Sequence, residues 1–227
     1  MSVSFDKQYV PAIPADDTRQ RVLRNTYWLL ALSMIPTVLG AVLGVSFHIP
    51  VPRGIFGFVV FLAVAWGFMY AIEKTKESAA GVFVMLGFTF FMGIWLTPLL
   101  TRTLGFSNGG TLIMLAFGGT ATILTVMATI ATVSKRDFSG MGTWLFAGVI
   151  GLIITSFVGM IFQMPLLMIV ISALAVLIFS AYILYDVQKI VTGGETNYIS
   201  AATALYLDVY LIFSHLLSLL GLGGSRN

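Results

Sequence analysis

The chain has 227 residues, no cysteine and a formal net charge of +3, and 58% of its residues are hydrophobic against 9% charged. With a mean hydropathy of +0.98 it lies outside the range of water-soluble domains and belongs in a lipid bilayer. The missing cysteine excludes disulfides, thiolate catalysis and cysteine-ligated metals, and no basic cluster is dense enough to suggest a nucleic-acid partner.

Residues 1–26 hold Asp6, Lys7, Asp16 and Asp17, two prolines and no apolar segment long enough to pack, which predicts a flexible tail. The apolar run that follows Arg19, Arg21 and Arg24 is longer than the core of a signal peptide, about 7 to 15 residues, so it reads as a retained anchor. From there seven apolar stretches are bounded by polar residues: 27–47, 54–72, 78–100, 111–133, 142–162, 165–187 and 199–222. Each holds 19 to 24 residues, and at about 1.5 Å per residue each matches a hydrocarbon core of roughly 30 Å. The prediction is an all-α, polytopic integral membrane protein, a bundle of seven transmembrane helices over 27–222, closed by a short external tail at 223–227.

Within the stretches, Pro36 and Pro98 predict bends. Gly40 and Gly44 in the first stretch, and Ala147, Gly151, Thr155 and Gly159 in the fifth, recur every four residues and read as packing seams. The threonines of the fourth stretch (Thr120, Thr122, Thr125, Thr129 and Thr132) could line a polar path or bond back to their own helix.

Orientation follows from the basic residues. Lys7, Arg19, Arg21, Arg24, Lys74, Lys76, Lys135, Arg136 and Lys189 fall on one side, and Arg53, Arg102 and Arg226 on the other. Nine against three predicts a cytoplasmic amino terminus and an external carboxyl terminus.

Of nine carboxylates, seven fall in the tail or in loops. The remaining two, Asp186 and Asp208, lie on or beside the sixth and seventh stretches, toward the cytoplasmic side of both. An isolated carboxylate there costs about 2.5 to 3.5 kcal/mol on insertion scales, so something must offset it. The connection "TGGETNY" is short, which makes the two helices neighbours and lets the acids meet. Two touching carboxylates cannot both ionise cheaply in low dielectric; they share a proton and titrate as a coupled pair. Deprotonated, they offer an oxygen-only site suited to a hard cation such as calcium. The plainer alternative is that each acid accepts a hydrogen bond or pairs with a lysine, with Lys189 one turn beyond Asp186.

Enzymatic readings are poorly supported. Paired acids on the last two helices are a feature of intramembrane aspartyl proteases, but "YLD" at 206–208 lacks the Gly-x-Gly-Asp sequence of that class. A zinc hydrolase needs several histidines at one site, and the chain has two: His48 in an external loop, and His215 two turns past Asp208, which reads as an interhelical hydrogen-bonding residue.

The block "AYILYDVQKIVTGGETNYISAATALYLDVYLIFSHLLSLLG" resembles the signature region of the Bax inhibitor-1 (transmembrane Bax inhibitor motif) family, with "YD" on the sixth helix and "LYLD" on the seventh. "VLRNTYWLL", "SKRDFSGMG" and "GGETNYI" are similar to its bacterial YccA-like branch. The resemblance implies a pH-sensing pair, Asp186 and Asp208, governing a calcium leak, and a basic latch near the end of the second helix. In "YAIEKTKES" the latch candidates are Lys74 and Lys76. It further implies a bacterial inner-membrane location and the membrane protease FtsH as a partner, with the amino-terminal tail as a segment the protease could grip. Two expectations stand side by side: a proton-regulated cation leak without a resident cofactor, and a non-transporting modulator or substrate of FtsH.

Overall fold

The computed structural model describes residues 16–134 and 136–223. Their regular structure is helical: α1 (Asp16–Ser46), α2 (Gly54–Thr75), α3 (Ala79–Trp95), α4 (Thr97–Leu104), α5 (Gly109–Val133), α6 (Gly142–Ile161), α7 (Pro165–Val191) and α8 (Tyr198–Leu220), with one-turn 3-10 segments at Ser139–Met141 and Gly221–Gly223. Among the described residues six helices are long and apolar enough to cross a membrane alone, and α3 with α4, bent by 40° at their junction, makes a seventh if the bent pair is counted as one span. The protein is thus a polytopic all-α membrane protein.

The bend between α3 and α4 falls where Pro98 enters the second position of α4. Proline lacks the amide that would continue the ladder, and its ring clashes with the preceding turn. Pro36, by contrast, sits inside an uninterrupted α1. That helix begins at Asp16, so residues 16–26 are helical and not part of a tail. Val22 and Thr26 are buried against the bundle. Residues 1–15 and 224–227, with Lys7, Arg226 and most of the expected tail, lie outside the described residues, as does Lys135.

At the centre stands α8, packed on α1, α2, α3, α4, α5 and α7; Ile199, Ala202, Leu205, Ile212 and Leu217 are sealed from any solvent. The outer surface carries exposed Trp28, Phe56, Trp66, Phe83, Trp144 and Leu166. In water such a surface would aggregate; in a bilayer it is the solvated face.

Glycine sets the tightest seam, between α1 and α3. A Cβ at Gly40 would run into the Phe90 carbonyl oxygen and one at Gly93 into the Thr37 carbonyl oxygen. Backbone therefore touches backbone, the close approach that small residues permit. The four-residue pattern of α6 does less: Gly159 faces the Met168 side chain, while Gly151 faces open space. The α5 threonines form no polar path. Each hydroxyl donates to the carbonyl four residues earlier in its own helix, at 2.7–2.8 Å, and all but Thr120 face outward.

Candidate functional site: a carboxyl pair between α7 and α8

The α7–α8 connection places the site. Gly193 takes φ +82°, a left-handed conformation that glycine adopts without strain, at the end of α7. The Gly194 amide then donates to the Lys189 carbonyl at 2.8 Å, turning the chain back. Asn197 caps α8: its Oδ1 accepts from the Ile199 and Ser200 amides at 2.9 and 3.1 Å. Its Nδ2 donates to the Lys76 carbonyl at 2.9 Å and to Glu77 Oε1 at 3.2 Å. The sequence "GGETNY" is thus a clasp that turns the chain and ties the start of α8 to the α2–α3 loop.

Antiparallel α7 and α8 bring the side chains of Asp186 and Asp208 beside each other, each within electrostatic reach of the other. Asp208 is 4% exposed, and its Oδ2 has no hydrogen-bond partner among the described residues. Asp186 is half-buried, and α5 packs on both helices. Tyr182, one turn before Asp186, lies within electrostatic reach of both acids. Lys189 and Glu195 lie within reach of Asp186, and their charged groups are 3.9 Å apart.

The other candidates lie elsewhere. The Lys74 ammonium stands 5.2 Å from the centre of the Tyr70 ring, and that of Lys76 is 2.5 Å from Glu73 Oε1. Neither lysine is brought to the acid pair: both are occupied by groups of α2 itself. His215 reaches across to α7, with Nδ1 3.2 Å from Ser172 Oγ, seven residues and roughly 10 Å along α8 from Asp208. Among the described residues no group of three or more His, Cys, Asp or Glu could hold a metal ion. Calcium takes 6–8 oxygens, so a calcium ion at the pair would draw part of its shell from water or backbone.

Two amides beside the site escaped the sequence reading. Asn197 is one. The other is Gln188, two residues beyond Asp186 and 6% exposed. Its Nε2 donates to the Arg136 carbonyl at 2.5 Å, and its Oε1 accepts from the Phe138 amide at 2.6 Å. One side chain thus clamps the α5–α6 loop onto the end of α7. On the opposite face of α8, Tyr206 shares a hydrogen bond of 2.9 Å with Thr37 of α1, and Tyr210 donates to the Met92 carbonyl of α3 at 3.2 Å.

Fold and site define a multi-pass helical membrane protein with a carboxyl pair buried between its last two described helices. The family model described as inhibitor of apoptosis-promoting Bax1 matches residues 19–226, and the chain belongs to this Bax inhibitor-1 family. It is 35% identical over 201 residues to the modulator of FtsH protease YccA of Escherichia coli K12, covering 88% of this chain and 90% of that protein. It is 34% identical over 231 aligned positions to an uncharacterised protein of Campylobacter jejuni, covering 98% and 99% of the two chains. An uncharacterised membrane protein of Vibrio cholerae is 33% identical over 202 residues, covering 89% of each.

Proposed function

We propose that the protein is a proton-regulated cation leak of the bacterial inner membrane, in which Asp186 and Asp208 form the gate between α7 and α8. The observation that carries this reading is two acids placed side by side between α7 and α8, with one buried oxygen of Asp208 lacking a hydrogen-bond partner among the described residues. In low dielectric two adjacent carboxyls hold a proton between them, and their ionisations are coupled. With that proton the pair is a neutral hydrogen bond joining the two helices. Without it, like charges repel and four carboxylate oxygens face a hard cation, for which calcium is the natural cargo. Tyr182, Lys189 and Glu195 are the charged or titratable groups around the pair, and Lys189 opposes its negative charge. The proposed orientation has the amino terminus and the α2–α3, α5–α6 and α7–α8 loops in the cytoplasm and the carboxyl terminus outside, following the basic residues. On this reading the protein is not an enzyme.

Calcium flux into liposomes holding the pure protein, measured over a pH series, tests the gate. Asp208→Asn keeps the shape and removes the charge conflict, so most of the pH dependence should vanish. Asp186→Asn should do the same. The double variant should be scarcely worse than either single one, as expected of groups acting as a unit. If both single variants retain the wild-type pH profile, the pair only ties the helices together and the gate reading fails.

The similarity to a modulator of FtsH protease favours a second reading, in which the protein is a non-transporting modulator or substrate of that protease. The segment before α1 is then the handle. Deleting residues 2–15 should lengthen the protein's lifetime in cells that contain the protease and leave liposome flux unchanged. Unaltered turnover would count against the handle.

A further inference from the structure

Between α1 and α5 the bundle wall is open. A crevice of about 920 Å³ lies there, floored by α4 and α8. Along α1 its lining runs from Tyr27 to Ser46, about 29 Å at 1.5 Å per residue, which is the thickness of the hydrocarbon core. Its rims, Val38 and Val42 on α1 and Met114 and Phe117 on α5, are exposed to the bilayer, while Tyr206 and Tyr210 on the floor are buried. An apolar space of this size, open to hydrocarbon, must be filled by something apolar.

The crevice walls are uneven, with Ala31, Ala41, Gly118 and Ala121 set among Met34, Met114, Phe117 and Phe213. Two features name the occupant. Exposed Trp28, beside Tyr27 at one mouth, marks the level of the lipid headgroups. Arg24, exposed and one turn further out on α1, stands at the level of the phosphates with a charge complementary to theirs. We propose that the crevice retains a phospholipid, its acyl chains laid over the seam where Tyr206 of α8 meets Thr37 of α1 and its phosphate held by Arg24.

The test uses the full chain extracted in mild detergent and weighed intact by native mass spectrometry. A Cβ at Gly118 on the crevice wall would have open space around it, and so would one at Gly67 on α2, which does not line the crevice. Gly118→Leu therefore puts a bulky apolar side chain on the crevice wall at a position where its Cβ meets nothing, and Gly67→Leu adds the same group elsewhere. The wild type should keep a phospholipid adduct through repeated washing. Gly118→Leu should lose it at least several-fold, Arg24→Gln should lose part of it, and Gly67→Leu should keep it. Absence of the adduct on the wild type, or equal retention by Gly118→Leu, overturns the proposal. Because the native chain has no cysteine, Gly118→Cys gives a clean second readout. Under oxidation in membranes it should stay monomeric, and a disulfide-linked dimer would overturn the proposal in favour of a second copy as the occupant.

Discussion

Asp186 and Asp208 could be picked out from the sequence because an acid inside an apolar helix is expensive and therefore rare. Gln188 and Asn197 could not: a neutral amide at a helix end carries no such penalty, and its importance lies in partners far away in the chain. The Gln188 amide satisfies the Phe138 N–H and the Arg136 carbonyl together. Replacing it with Leu leaves both unpaired, at a cost of about 1–3 kcal/mol for each group that stays buried. The α5–α6 loop should then exchange its amide hydrogens faster over residues 136–141, and the thermal midpoint in detergent should fall. Wild-type exchange rates in that loop would show that the clamp contributes nothing. Asn197→Ala removes a cap worth roughly 1 kcal/mol together with the tie to Lys76, so it should destabilise more than an ordinary cap deletion, as measured by denaturant or heat.

Among the elements, α1 shows both the reach and the limit of periodicity. Gly40 and Gly44 were visible as a four-residue repeat, whereas Gly93, spaced likewise between Thr89 and Thr97, was paired with them only in three dimensions. The start of α1 at Asp16 was hidden for another reason. Hydropathy marks where a helix enters lipid, and the first eleven residues of α1 lie before the apolar stretch, where charge reads as tail. Gly40→Val must push α1 away from the Phe90 carbonyl, so it should abolish monodisperse protein on size exclusion. Gly151→Ala meets nothing and should be neutral or stabilising by up to about 1 kcal/mol, the helix-propensity gain of alanine over glycine. If the two variants behave alike, the α1–α3 contact is not the rigid seam described above.

Across the whole molecule, the two ends of the bundle are built differently. One end is laced together: Asn197 binds the α2–α3 loop, Gln188 binds the α5–α6 loop, and the Arg19 side chain lies against Gly193. Arg136, Lys76 and Lys189 gather at the same end, so the proposed cytoplasmic face is also the end where hydrogen bonds tie the loops to the helices. A reporter fused after Asn227 should be active only in its external form. Cytoplasmic activity would invert the bundle and put the laced end outside. That the chain crosses a membrane many times was open to a reader of the sequence, since hydropathy acts segment by segment. The lacing was closed to that reader, because it joins residues such as Asn197 and Lys76 that lie more than a hundred positions apart.

The central place of α8 also bears on how the protein is made. The helix around which α1, α3, α5 and α7 pack is the last of the described helices to leave the ribosome. Until it inserts, the earlier spans have no common axis. Thr37 lacks its tyrosine, Asp186 faces an empty slot instead of its partner acid, and the α2–α3 loop lacks the asparagine that holds it. Completion of the bundle should therefore be late, with α1 and α3 already seated on each other and the remaining contacts waiting for α8. A chain cut short before Tyr198 should accumulate as a protease-sensitive ring of helices, and supplying residues 192–227 as a separate segment should restore resistance.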